Sequence, residues 1–322
     1  MGFWTGKRVS VTGGAGFIGS HLVDRLIEQR AEVTALDDLS FGHAENVNGR
    51  AAMLQCDVTD FEKLQASIGE AEVVFHLAAD ATTKESSMGW GDPLSDYRIN
   101  AMGTLNVLEA TAGMVSRVRV VYASSAAVYG IPHHLPMDEG HPTSPLSPYG
   151  VSKLAGEKYC WAYHHERGLD VTSVRIFNTY GPRQPRYVMY DLMKKLLRDP
   201  HKLEVLGDGN QVRDYCYVSD TVEALVLLAE KGPAGAVFNV ASGEAVRIDE
   251  LVSRVVKTMG LEGRTDVCYT GQTWMGDIPT VVGDPSALGR LGFAPSVTLA
   301  EGLSRLYEWL LQERPSGVGG ER

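Results

Sequence analysis

The chain has 322 residues, 44% of them apolar and 22% charged; this describes a folded globular protein too large for one small core and excludes long disorder. Forty acidic against 30 basic side chains leave a net charge of −10, which excludes broad nucleic-acid binding, so an anion must be held at a local cluster of Arg, Lys and backbone N–H groups. No uncharged stretch reaches the roughly 18 apolar residues of a membrane span.

The expected elements alternate along the chain. Arg8 to Thr12 is a short apolar run that stops at glycines, and Phe17 to Gln29 carries Ile18, Leu22, Leu26 and Ile27 on one helical face. Apolar runs return at Glu32 to Leu36, Ala51 to Leu54, Val73 to Leu77, Val118 to Ala123 and Val171 to Phe177, with helical segments between them. Continuous apolar runs separated by helices mark parallel strands buried on both faces, so the expected fold is α/β, a Rossmann-type doubly wound parallel sheet. After Asn178 prolines interrupt the pattern from Pro182 to Pro295, and a smaller C-terminal lobe is expected there. A helix after Asp220 (Val222, Leu225, Leu228) and a strand at Val237 to Val240 are expected to return to the first unit. The expected division is 1–177 plus about 215–243 for the sheet unit, about 178–214 plus 244–312 for the lobe, and 313–322 for a flexible tail. No targeting segment is expected, since Met1 to Gly6 holds no apolar core of signal-peptide length before Lys7 and Arg8. Cys56, Cys160, Cys216 and Cys268 lack metal-pair or disulfide-scaffold spacing and read as free thiols in a reducing cytoplasm.

The first strand runs into Thr12-Gly13-Gly14-Ala15-Gly16-Phe17-Ile18-Gly19. Gly13 permits a tight turn, Gly16 leaves room for a pyrophosphate at the helix N-terminus, and Gly19 lets helix and strand pack closely. The second strand ends at Asp37, about 20 residues on. A carboxylate there accepts hydrogen bonds from both ribose hydroxyls of NAD and repels the extra phosphate of NADP; no Arg or Lys follows until Arg50. Asp57, with Val58 beside it, ends the third strand where an adenine amino group is contacted, or else serves as a helix cap.

Tyr149 and Lys153 follow Ser147-Pro148, a helix entry, and so lie on one face one turn apart. A phenol is a poor base at neutral pH, and a nearby ammonium together with a positive nicotinamide lowers its pKa. The strand from Val120 to Ala123 delivers Ser124 and Ser125 to the C-terminal edge of the sheet, where a serine can orient a substrate hydroxyl beside Tyr149. His133-His134 and His164-His165 read as surface pairs, and no metal is expected.

These motifs resemble the extended short-chain dehydrogenase/reductase family, in particular nucleotide-sugar epimerases of the UDP-glucose (UDP-galactose) 4-epimerase type. The resemblance runs from about Lys7 to the helix near Trp309. It is carried also by Asp37-Asp38-Leu39, His76-Leu77-Ala78-Ala79, Asn100-Ala101-Met102-Gly103-Thr104, Ser125 to Gly130, Asn178 to Arg183, Gly207-Asp208-Gly209 and Arg213-Asp214-Tyr215. It implies Ser125 as the substrate-orienting serine, Tyr149 as base and Lys153 as its activator. It further implies Asn100 near the cofactor, and Asn178 and Arg213 at the nucleotide diphosphate. Arg183 and Arg186 are further candidates for the phosphates. The implied partners are NAD and a UDP-sugar, with no nucleic acid and no membrane.

The implied first step is oxidation of the sugar at C4. Dehydratases of the family carry Asp-Glu after the position of Ser125, and its decarboxylases a Glu in that region. This chain has Ala126 and Ala127 there, which cannot transfer protons, so 4-epimerisation is the expected outcome. The alternatives are a UDP-glucuronate 4-epimerase, a 4,6-dehydratase, a 4-keto reductase and a non-catalytic dinucleotide sensor; the intact Ser125, Tyr149 and Lys153 set argues against the sensor. Many members have an Arg two residues before the Gly of a late Gly-Asp pair, and Trp274 stands there before Gly276-Asp277, either packing on substrate or filling the lobe. The resemblance also places Val281 near the sugar's C2 substituent, where a small residue admits an N-acetyl group, and implies a homodimer through the helices near Asp92 to Thr111 and Tyr149 to Glu166.

Overall fold

A computed structural model describes residues 2–81, 92–272 and 278–313. Its main sheet contains β1 (Arg8–Thr12), β2 (Glu32–Asp37), β3 (Ala52–Gln55), β4 (Val73–His76), β5 (Arg119–Ser125) and β6 (Asp170–Ile176). The short strands β7 (Asn178–Tyr180), β8 (Lys202–Val205), β9 (Val212–Arg213) and β10 (Tyr215–Tyr217) follow, before β11 (Val237–Val240) rejoins the main sheet. All seven strands of that sheet are parallel, in the order β11-β6-β5-β4-β1-β2-β3. The order reverses beside β1, and the crevice there opens at the strands' C-terminal ends. The fold is the doubly wound Rossmann-type architecture that the alternation of apolar runs predicts.

Helices α1 (Phe17–Glu28), α2 (Phe61–Ile68), α3 (Pro93–Asp96), α4 (Gly103–Ala112) and α5 (Pro148–Arg167) connect the first six strands, with a π-helical turn at Tyr97–Met102 between α3 and α4. They are joined by α6 (Val188–Arg198) and α7 (Val218–Lys231). Side chains alternate across β5: Val121 enters one core with α1 and α7, and Val120 and Tyr122 enter the other with α2, α4 and α5. Burial on both faces is why these strands read as unbroken apolar runs.

The lobe packs α6, α8 (Ile248–Thr258) and α10 (Leu299–Gln312) around Leu196, Leu251, Val255, Leu303 and Leu306. Its sheets are small. β10 pairs with β7, β13 (Asp266–Tyr269) with β8, and β9 lies between β12 (Val246–Arg247) and β14 (Thr280–Val281). One stretch that the sequence assigns to the lobe leaves it. The short α9 (Ser286–Gly289) packs on the sheet unit, with Leu288 buried among α1 and α7 residues and Phe293 against them. Between the units lies Asp214, fully buried, whose carboxylate accepts from Ser242 N and Oγ, Gly243 N and Gly283 N at 2.7–3.3 Å. Ser242 and Gly243 follow β11, so this one acid ties the sheet unit to the strands of the lobe. The tail expected at 313–322 lies, from 314 on, outside the described residues. Among the described residues no helix is long and apolar enough to cross a membrane.

Candidate active site

A cleft of about 1240 Å³ runs from the turn after β1, across the ends of β4 and β5, into the lobe as far as Tyr215, Ile248 and Leu306. Gly13, Gly16, Phe17, Ile18, Gly19, Asp37, Asp57, Val58, Leu77, Ala78 and Ala79 line its first part. The glycine turn is closely packed. Gly13 has φ +71°, and a Cβ there would sit 2.8 Å from Ala78 N, so the loop after β4 leaves no room for a side chain. A Cβ at Gly19 would collide with the Gly13 carbonyl, whereas at Gly16 it would approach Gly13 O alone, at 3.2 Å. The face of α1's first turn is thus bare toward the cleft, the shape a pyrophosphate requires.

Asp37 is buried at the tip of β2. Its Oδ2 accepts from Ala15 N at 3.0 Å and its Oδ1 from Leu39 N at 2.9 Å, which aims the carboxylate along the cleft wall. Burial pushes its pKa up, against the pull of these amides. As an acceptor, the carboxylate fits the adenosine ribose of NAD, whose hydroxyls donate. Along the chain no Arg or Lys follows Asp37 until Arg50; Arg186 lines the same cleft, its guanidinium 5.7 Å from the centre of the Phe41 ring.

The catalytic candidates converge on the ends of β5 and α5. Ser147 caps α5, its Oγ accepting from Gly150 N at 3.1 Å, and Pro148 stands in the first turn where its missing N–H is not needed. Tyr149 therefore enters the cleft from the first turn, with Lys153 one turn on. Ser125 and Tyr149 line the same cleft; burial pushes the Tyr149 phenol's pKa up and Ser125 draws it back down. Lys153 is buried and its Nζ donates to Ala123 O at 2.8 Å, on β5, with the Tyr122 ring 5.2 Å away. Burial pushes the ammonium down to about 8. Below it, His76 bridges Thr12 and Thr104 at 2.7 and 3.0 Å, and burial followed by the Lys153 charge pushes it down to about 3, so it is neutral.

Other candidates land differently. Ser124 lines the cleft, but its hydroxyl donates to Glu157 Oε1 at 2.6 Å, and Glu157 forms a buried bidentate pair with Arg175 at 2.9 Å. Of the two serines, Ser125 is the one beside Tyr149. Asn100, implied at the cofactor, is fully buried behind the wall instead. Its side chain accepts from Asp80 N at 2.8 Å and donates to Asp80 O and Ser152 Oγ, so it props the loop that follows β4. Arg183 lines the cleft with its guanidinium on Asp24 of α1 at 2.8 Å, which pins the loop after β7 rather than leaving the charge for a phosphate. Asn178 lines the cleft and donates to Asp214 O at 3.1 Å. Arg213 and Val281 are register partners on β9 and β14, both lining the cleft. Trp274, Gly276 and Asp277 lie outside the described residues.

Asp80 and Tyr187 are among the cleft residues that carry no motif. Asp80 follows Ala79 directly, is buried, and accepts from Ser95 Oγ at 2.6 Å. Its neighbour Asp96 is pushed up to about 6, by burial first and then by the charges of Asp80 and Asp92. Tyr187 borders the cleft from the start of α6. The position of Asp80 right after the His76-to-Ala79 motif was a usable signal; nothing marks Tyr187. The histidine pairs stand apart from the cleft lining, with His133 and His134 against the buried His141, and His164 on Leu169 O.

Residues 9–241 match the model of the NAD dependent epimerase/dehydratase family. The chain is 35% identical over 314 residues to the UDP-glucose 4-epimerase of Mycolicibacterium smegmatis, covering 94% of this chain and 98% of that one. It is 34% identical over 316 residues to the dTDP-glucose 4,6-dehydratase of Streptomyces griseus, covering 94% of each. The structure of the UDP-glucose 4-epimerase of Thermotoga maritima with UDP-glucose superposes with a TM-score of 0.87 at 33% identity, over 95% of this chain and 99% of that one.

Proposed function

The chain belongs to the NAD-dependent epimerase/dehydratase family, and from that membership we propose that it interconverts the C4 epimers of a UDP-hexose, UDP-glucose and UDP-galactose, through a 4-keto sugar. The observation that carries this reading over its neighbours is the wall after Ser125. Ala126 and Ala127 line the cleft in a tight turn and offer no proton-transferring group. Without a second chemistry, the ketone turns its other face and is reduced again.

The glycine turn and Asp37 would hold NAD, which when bound supplies the acceptor and donor of the C4 hydride. Ser125 orients the C4 hydroxyl, and Tyr149 takes its proton and later returns it. Lys153, buried one turn away, provides a fixed positive charge that favours the phenolate. Asn178 and Arg213 hold the diphosphate at the lobe side, and Val281 borders the sugar. A small residue there leaves space for an N-acetyl group, which extends the proposal to UDP-GlcNAc and UDP-GalNAc.

Asp80 favours a second reading. A buried carboxylic acid lining the same cleft is a group that could assist loss of water, as a 4,6-dehydratase requires. Incubation with UDP-, dTDP- and GDP-sugars decides between them: a product of unchanged mass with C4 inverted supports the epimerase, and one lighter by a water replaces it with the dehydratase.

We also propose a homodimer in the cytoplasm. Leu94, Tyr97, Val151 and Trp161 are exposed on α3, the π-helical turn and α5, an apolar surface suited to a second copy. All four cysteines are free thiols, three of them buried. Light scattering that finds a monomer at micromolar concentration removes the dimer.

A further inference from the structure

We propose that Tyr187 is a positioning residue of the sugar chamber: its ring forms the lobe-side wall facing Tyr149 and keeps the 4-keto sugar within reach while that sugar turns over. The inference rests on the epimerase reading and assigns a role to a residue outside every motif.

The first observation is backbone strain. Tyr187 precedes α6 with φ +74° and ψ 170°, a region in which glycine alone rests comfortably. Little around it offsets that strain. It makes no side-chain cap to α6, its hydroxyl donates to Ala81 O at a long 3.4 Å, and its ring lies 5.8 Å from the Arg186 guanidinium. The residue is 45% exposed, so packing does not explain why a tyrosine stands where a glycine would be more stable. Strain that local contacts do not repay points to function.

The second observation is where the side chain goes. It starts from the lobe and reaches the loop after β4, bordering the same cleft as Ser125 and Tyr149. Its phenol is close enough to Tyr149 to push that phenol's pKa further up. The sugar therefore sits between two tyrosines. Once C4 is oxidised, the neutral ketone is held through its diphosphate alone and must present its other face. A flat apolar ring confines it without locking it by hydrogen bonds. If the ketone escapes, the electron pair of the C4–H bond stays on the cofactor and the hydroxyl proton passes through Tyr149 to solvent, leaving a reduced, stalled enzyme.

Tyr187→Gly removes the ring and suits the backbone, and Tyr187→Phe keeps the ring and removes the hydroxyl. With purified holoenzyme and UDP-hexose, Tyr187→Gly should melt no lower than wild type. It should also accumulate reduced-nicotinamide absorbance about tenfold faster per turnover while kcat falls about tenfold. Tyr187→Phe should stay within about threefold of wild type on both counts, since a long exposed hydrogen bond contributes little. Wild-type kcat and no accumulation in Tyr187→Gly overturn the proposal, and so does a melting temperature several degrees lower, which would make the ring a packing group. A wild type that fails to invert C4 refutes the epimerase reading instead, and does so before any variant is compared.

Discussion

The sheet unit places its cleft residues at the ends of long parallel strands, each hydrogen-bonded to its neighbours: Asp37 ends β2 and Ser125 ends β5. The lobe draws Asn178, Arg213 and Val281 from strands of two or three residues that meet only after folding. A long buried strand holds the residue at its tip firmly, and proton transfer beside a cofactor needs that precision. Short strands hold less of the backbone and accept substitution with less disturbance. The division suits the proposed epimerase, with a fixed reaction core on one side and an adaptable sugar side on the other.

That contrast can be broken at either end. Tyr149→Phe should lower kcat by about 10³-fold, with NAD content and melting temperature unchanged; near-normal turnover would place the proton acceptor elsewhere. Arg213→Ala should act on binding, raising the UDP-sugar KM by about 10- to 100-fold with kcat within a few-fold. A matching loss in kcat would mean that the lobe takes part in the chemistry. Val281→Tyr should cost the N-acetylated pair about tenfold more in kcat/KM than the plain pair, and equal losses would sink the gate.

The smallest effect is a change of slope with pH. Lys153 is held down to about 8 from 10.5, so its ammonium is present below about 8 and lost above. kcat should therefore decline as pH rises through that value. The sign for stability is opposite. Between about 8 and 10.5 the folded protein has shed a proton that the unfolded chain still holds, so this residue's contribution to stability rises with pH across that window. A kcat that stays level to about pH 10 would show that the ammonium is dispensable.

The parallel doubly wound sheet, the glycine turn and the helix entry before Tyr149 were legible because each rests on local pattern: apolar runs, glycine spacing, a Ser-Pro pair. What the pattern hid depends on partners far along the chain. Asn100 turns inward because Asp80 and Ser152 offer its amide partners behind the wall. Arg183 is drawn to Asp24, 159 residues away, and Ser124 to Glu157. The two-residue strands of the lobe have no period to read, and α9 crossed the expected boundary because Leu288 finds its core under the sheet. The strain at Tyr187 is a backbone angle, which no residue type announces.

The buried acid at position 214 bears on how the whole chain comes apart. Its carboxylate is shared among amides from both units, and opening the seam would strand these buried donors together. With Leu288 and Phe293 threaded from the lobe side into the sheet's core, neither unit can loosen without the other. The molecule should therefore denature cooperatively, as one peak in calorimetry, although its cleft divides it in two. Asp214→Ala should split or broaden that peak. One carboxylate would then share with Leu288 the task of making this mechanically one body.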